Sequence, residues 1–506
     1  MVLFMVLAIL LLPHSVCNAH VDNCAAGDPL AIDHKYYQPG DFIVAAIISH
    51  IFIASELITF TRHPSEELID ELMVVLQVYQ NIMALVFAIK EINASHKILP
   101  NVTLGFNIYN SRFMAKWTYL ASMELLSTQG KFIPNYKCDD QSNLAAVIGG
   151  PNSDVPLFMA SILGIYKIPQ LIYGSVPIMN NNPQAVFSQR MFPNMEYQYR
   201  GIVQLLLHFK WMWIGVIYTT NDSGEWFLEN VLPMFSHSGI CIDFIEKRAK
   251  DSFSMENMIS EGLATSYVIV NSTASVVVFR GEIESIMFFR LFASLLQFNI
   301  LSMKTKWKVF IFTAQMEFSS LPVHIIWNID VLHGAISFAV PSKDVLNFPN
   351  FLQSRNPTTE EEDSFLKVIW EQVFGCSLSN YTADENVDRV CTGEENLKTL
   401  PGSLFEMHMS AHSYSVYNAL YAVAYALQSM HSSKFKDRTI LNGGRQKLLI
   451  QEPWQDMNQD MNQPKSVQSP NHYHDLTLLP ALGQAPSVGK KPGSCNGSEE
   501  GLLHPW

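Results

Sequence analysis

The feature that most constrains this chain is a rhythm. Short apolar runs rich in β-branched residues recur along it, separated by longer stretches whose apolar residues repeat every three or four positions. The run Phe42 to Ile48 contains Ile43, Val44, Ile47 and Ile48, while the stretch that follows carries Val78, Ile82, Leu85, Val86 and Ile89 at helical spacing. A strand that is apolar on both faces has to be covered on both, which is the condition of a parallel sheet between layers of helices. Strands are therefore expected at 42–48, 102–109, 145–149, 169–173, 211–218, 240–244, 275–279, 307–313 and 334–340, within an α/β fold. The whole apolar stretch Phe42 to Ser55 reads as one buried strand, because Glu56 ends it before it is long enough to span a bilayer.

The chain has 506 residues, about three times the ~150 expected of one domain, so two lobes are expected rather than one core. The segment Met191-Phe192-Pro193-Asn194 interrupts the rhythm, and Pro193 biases Phe192 towards extended backbone, which suits a hinge. The division that follows has a leader at 1–19, lobe 1 at 20–194, lobe 2 at 195–335, return segments completing the lobes at 336–454, and a disordered tail at 455–506. Beyond Trp454, the repeat Asp456-Met457-Asn458-Gln459 and Asp460-Met461-Asn462-Gln463 passes into Pro, Gly, Ser and Lys without periodicity. Such a composition buries too little apolar area to offset chain entropy.

With 46 acidic against 33 basic residues, the net charge of −13 repels a phosphate backbone, so no nucleic-acid partner is expected. The apolar run Met1 to Leu12 followed by Cys17-Asn18-Ala19 reads as a secretory signal peptide. Asn-x-Ser/Thr acceptors at Asn93, Asn101, Asn221, Asn271, Asn380 and Asn496 fit the same route. After cleavage Cys24, Cys138, Cys241, Cys376, Cys391 and Cys495 would meet an oxidising lumen.

The motifs of hydrolases, P-loop enzymes, zinc proteases and thiol redox enzymes are missing, so an enzyme is not expected. Gly149-Gly150-Pro151-Asn152-Ser153-Asp154 follows a strand and opens a helix; Ser153 there is either a helix cap or an anion receiver. A hydrolase built on Ser153 would need a base and an orienting group, and none is assignable. His408 and His412 have a spacing that can put two imidazoles on one helical face, but no third ligand is visible, and the acidic run Glu360 to Asp363 reads as a solvated helix start, so neither metal nor cofactor is expected.

Several dispersed blocks carry a resemblance. Tyr37-Gln38-Pro39-Gly40-Asp41, Phe87-Ala88-Ile89-Lys90-Glu91-Ile92-Asn93, Leu99 to Gly105, Lys167-Ile168-Pro169-Gln170, Thr313-Ala314-Gln315-Met316 and Cys391-Thr392-Gly393-Glu394-Glu395-Asn396 are together similar to the ectodomains of class C G-protein-coupled receptors. Within that class the chain resembles the vomeronasal type-2 pheromone receptors, over roughly residues 24 to 454. The resemblance implies a bilobed periplasmic-binding-protein-like fold of type I, the Venus flytrap, closing on a ligand in its cleft. It places Ser153, Tyr173, Gly174 and Ser175 on the lobe 1 side of the ligand, with Ser223 and Gln315 on the lobe 2 side. Where amino-acid-binding relatives carry an acidic residue, a Tyr and a second acidic residue, this chain has Met195, Ser223 and Gln315. An ammonium group then lacks charged partners, so a peptide or other small-molecule chemosignal is expected instead of a free amino acid.

The resemblance also implies a disulfide Cys376–Cys391, worth ~3 kcal/mol by the chain-entropy argument, and an intersubunit disulfide at Cys138 giving a homodimer through lobe 1. It assigns Cys241 to a cysteine-rich domain beyond this chain. A cysteine-rich module and seven membrane helices would follow in the family, so the expectation is a truncated receptor, with a G protein as partner only of a full-length form. The other readings are a secreted decoy of the same fold and a nonfunctional fragment.

Overall fold

The structure is a computed structural model that describes residues 32, 34–54, 71–127, 143–174, 176, 187–249, 255–283, 285, 288–289, 292–297, 308–316, 332–378, 389–400 and 405–440. The expected leader, the tail at 455–506, Cys24, Cys138, Ser175, Asn380, Cys495 and Asn496 lie outside these residues. Two parallel-dominated sheets carry the fold. The first has β1 (Lys35–Gln38), β2 (Phe42–Ile48), β5 (Leu104–Asn110), β6 (Leu144–Gly150), β7 (Gln170–Ile172) and β8 (Ser188–Arg190), in the order β1-β5-β2-β6-β7-β8. All its pairings are parallel except β1 with β5. The second has β9 (Trp213–Thr220), β10 (Cys241–Ala249), β11 (Val276–Arg280), β12 (Val309–Phe312) and β13 (Ile336–Ser337), in the order β10-β9-β11-β12-β13, parallel throughout. The α/β class with two lobes follows from these sheets.

The long apolar runs became the central strands, as their two-sided burial requires. Ile43 to Ile48 are buried in β2, and every residue of β11 is buried. The stretch Phe42 to Ser55 is not one strand. It breaks at Ser49 and His50 into β2 and β3 (Ile51–Ala54), and β3 pairs antiparallel with β4 (Glu71–Val74). His50 sits at the break with its ring 5.6 Å from that of Phe365. Burial, aided by His34, pulls its pKa down to about 3, so it is neutral in the fold.

The helices that cover lobe 1 come from both ends of the chain. Helix α1 (Leu76–Ala94) is buried almost throughout its first four turns, packed between the sheet and the helices α7 (Phe348–Gln353), α8 (Ser364–Phe374) and α9 (Ala411–Ile440). The tyrosine stripe of α9 faces α1, and Tyr417 and Tyr421 both donate to the Glu91 carboxylate, at 2.8 and 3.0 Å. Between β5 and β7 come α2 (Ala115–Leu125) and α3 (Asp154–Leu163), which lie side by side. Lobe 2 carries α4 (Met195–His208), α5 (Asp222–His237) and α6 (Met255–Asn271).

The acidic run at Glu360 does not start a solvated helix throughout. Asp363 caps α8 by accepting from the Leu366 backbone N–H, but it is fully buried, because Arg355 at 3.1 Å and the Tyr79 hydroxyl at 3.0 Å receive its charge. Here one short run combines exposed carboxylates with a structural ion pair.

The loop after α8 is closed by the disulfide Cys376–Cys391, with Cα atoms 5.0 Å apart. Beside it the Glu395 carboxylate accepts from the Thr392 backbone N–H and hydroxyl and the Gly393 N–H, each at 2.9 Å, and from the Trp370 indole at 3.4 Å. These donors, the Thr392 N–H first, hold its pKa down from 4.5 to about 2. A folded-state value below the unfolded one stabilises the loop above about pH 4.5, and the contribution is lost as pH falls towards 2. Glu395→Gln is therefore expected to lower the urea midpoint at neutral pH, with the gap to the parent chain shrinking as both are taken towards pH 2. A gap independent of pH contradicts this reading.

Candidate functional site

In parallel α/β sheets, ligands bind outside the carboxyl ends of the strands. Here those ends meet across the two lobes. Ser153 follows β6, and Tyr173 and Gly174 follow β7; Asn221 and Ser223 follow β9, Glu282 follows β11, and Gln315 follows β12. The strand rhythm that sets the fold therefore also assembles the site.

Two glycines allow the lobe 1 side to form. A Cβ on Gly174 would lie 2.0 Å from the Pro151 carbonyl oxygen, so only hydrogen lets the β7 end approach the loop that carries Ser153. Gly150 has φ +146, a conformation an L side chain rarely adopts, and a Cβ there would crowd the Tyr173 ring at 3.1 Å. Tyr173 is fully buried, edge-on to His412 with ring centroids 6.3 Å apart.

Ser153 is fully buried, and its side chain makes no cap bond to α3. Its partner comes from the other lobe: the Ser153 backbone N–H donates to Glu282 Oε2 at 3.0 Å, and its hydroxyl to the same oxygen at 3.1 Å. Asn221 Nδ2 donates to Ser153 Oγ at 3.3 Å. On the lobe 2 side Arg280, also fully buried, donates to Glu282 Oε1 at 2.8 Å, to Asn221 Oδ1 at 3.1 Å and to the Ser223 hydroxyl. Burial works most strongly against the guanidinium charge, but Glu282 and then Tyr199 more than offset it and hold its pKa above the ordinary value. Tyr199 is hydrogen-bonded to both Arg280 and Gln315, and burial pushes its hydroxyl up. Gln315 accepts from Gln198 Nε2 at 3.2 Å, while Gln198 Oε1 accepts from the Ala314 N–H at 2.7 Å.

The structure thus joins Ser153, Ser223 and Gln315 through one network, with Tyr173 and Gly174 beside its lobe 1 end; Ser175 lies outside the described residues. Arg280, Glu282 and Tyr199 are the members that sequence reasoning missed. A signal was present: Arg280 is a charged residue directly after the run Val276 to Phe279, at the carboxyl end of a central strand. Met195 belongs to the lobe 2 apolar cluster. Asn221, counted among the glycan acceptors, is 8% exposed and spends its amide on Ser153, Arg280 and the Gly224 N–H. Asn93, Asn101 and Asn271 are exposed. His408 pairs with Asp344 at 3.3 Å while His412 stacks on Phe192, and among the described residues no group of three metal-ligating side chains occurs. Cys241 is disulfide-bonded within this chain, which departs from its expected pairing with a domain beyond it.

Two α/β lobes meeting through polar side chains at their strand ends define a cleft-type ligand-binding domain. Comparison with known proteins agrees: the receptor family ligand binding region matches residues 82–465. The vomeronasal type-2 receptor 26 of Mus musculus is 30% identical over 83% of this chain and 48% of its own length. The extracellular calcium-sensing receptor of Homo sapiens is 26% identical over 84% of this chain and 40% of its own length. The chain belongs to the receptor family of ligand-binding regions, on the branch of the class C G-protein-coupled receptors, and spans less than half the length of these relatives. No helix among the described residues is long and apolar enough to cross a membrane.

Gly174→Ala is expected to push the Pro151–Ser153 loop away from β7 at a cost of about 1–3 kcal/mol. Thermal unfolding is the measurement, and an unchanged midpoint contradicts the close approach.

Proposed function

We propose that this chain is the ligand-binding ectodomain of a chemosensory class C receptor of the vomeronasal type-2 kind, on the extracellular face of the plasma membrane. The observation that carries the reading is the network of buried polar side chains linking the strand ends of the two lobes, in a chain of the receptor ligand-binding family. The proposed ligand is a peptide or small-molecule chemosignal, held by Ser153, Tyr173, Gly174 and Ser175 from lobe 1 and by Ser223 and Gln315 from lobe 2. Two further polar atoms near these strand ends, Asn152 Nδ2 and Thr313 Oγ1, are buried without a hydrogen-bond partner among the described residues. Buried polar atoms of this sort favour a ligand that brings its own donors and acceptors.

Free amino acids are the less suitable class. At the positions that would neutralise an ammonium group the chain has Met195 and Gln315, and the Gln315 amide is already bonded within lobe 2. Dimerisation through lobe 1 by Cys138 and coupling to a G protein in a full-length form belong to the same proposal. A secreted decoy of the same fold is the alternative, favoured only by the shared cleft.

Isothermal titration of the secreted chain against free L-amino acids and against peptide fractions tests the ligand class. Saturable binding of peptides without measurable amino-acid binding is the expected result; tight binding of a free amino acid overturns it. On non-reducing electrophoresis the chain is expected at twice its reduced mass, and Cys138→Ser at the monomer mass. A parent chain that runs only as monomer overturns the covalent dimer.

A further inference from the structure

The lobe 1 receptor for an anion is already filled, and by the protein itself. One oxygen of the Glu282 carboxylate takes both the N–H and the hydroxyl of Ser153 at the start of α3, at 3.0 and 3.1 Å, while the other meets Arg280 at 2.8 Å. This is how a small carboxylate ligand would sit: on donors at a helix N-terminus, with a guanidinium opposite. Glu282 reaches it from lobe 2, and its own N–H donates to Ser285 Oγ at 3.2 Å, which in turn lies 3.0 Å from Thr219 Oγ1. The next residue, Ile283, is fully buried and packs within the apolar cluster of lobe 1, so the segment crosses the cleft with a charge and a plug side by side.

We propose that Glu282 is a built-in carboxylate ligand, which occupies the Ser153 subsite from the opposite lobe and determines specificity by shutting out free carboxylates. The inference rests on the receptor reading above for the meaning of the cleft, though not for the contact itself. A tethered group competes at an effective concentration that reaches the millimolar range for short links, so a free amino acid at lower concentration loses the site. A ligand able to open the latch has to carry an acidic group for Ser153 and Arg280, and further contacts besides. An acidic peptide has both.

Removing the tethered carboxylate should turn the subsite into a receptor for an external one. In the Glu282→Ala chain Arg280 is left buried without its counter-ion, and acetate or propionate is expected to fill the space. Scanning fluorimetry of the full 506-residue chain in sodium acetate, against sodium chloride at equal ionic strength, reads this out. At ten times the dissociation constant, the expected rise in the melting midpoint is roughly 1–2 °C for the variant, with no difference between the two salts for the parent. A variant that folds but does not distinguish acetate from chloride overturns the proposal, as does a parent chain that responds to acetate equally.

Should Glu282→Ala fail to fold, Ser153→Ala leaves the ion pair intact and removes one of the two lobe 1 bonds. Hydrogen exchange of the backbone amide at position 153 is then expected to quicken about tenfold or more, since a bond to a charged group is among the stronger ones. Unchanged exchange overturns the latch. Neither experiment uses a chemosignal. Acetate rescue in a chain that binds no peptide would remove the receptor reading alone, and peptide binding without rescue would remove the latch alone.

Discussion

A buried carboxylate keeps its charge only if donors surround it, and Glu282 is the group on which the junction between the lobes turns. Arg280 alone would not compensate it well, because taking two charges out of water costs more than one contact returns unless further hydrogen bonds complete the pair. The remaining donors come from Ser153 on one lobe, and Asn221 and Ser223 each accept from the guanidinium on the other. In this arrangement the ion pair is completed by donors from both lobes, so the contact that compensates the charge is also one that joins them.

Much of the architecture was legible because a two-sided apolar strand has few alternatives. The run Phe42 to Ile48 matches β2 residue for residue, and the helical spacing of Val78 to Ile89 falls within α1. What escaped were strands whose residues say little about burial. Lys35-Tyr36-Tyr37-Gln38 pairs at a sheet edge, and Ser188-Gln189-Arg190 is polar throughout, so neither shows the apolar pattern of a central strand. The break at Ser49-His50 escaped for the opposite reason: His50 is surrounded by apolar residues and stays neutral, so the run read as continuous.

The site was legible in outline. Ser153 stood out because Gly149-Gly150 precedes it at a strand end, and Ser223 and Gln315 came from the family pattern. Asn221 was read only as a glycan acceptor, since a triplet says nothing about whether its amide lies inside. Arg280 and Glu282 flank Gly281, and two charges around a glycine look like any exposed turn. Only the contact of Glu282 with Ser153, 129 residues away in the chain, shows that this turn faces the other lobe, and such long-range proximity has no local signature.

The two halves of the junction differ in what they tolerate. Each lobe has apolar clusters of its own, one around β2 and α1 and one between the sheet and the helices α2 and α3 in lobe 1, and two around β9, β11 and β12 in lobe 2. Among the described residues of lobe 2, only Met258 and Ile283 join the lobe 1 cluster, and the other cross-lobe contacts described above are polar. Among the described contacts, opening the cleft must uncover Met258 and Ile283 and supply new partners for one carboxylate and one serine. Water can do that at modest cost and a ligand can do it better. A cleft held by hydrogen bonds rather than by a shared core is one that a ligand of matching charge can take over without unfolding either lobe.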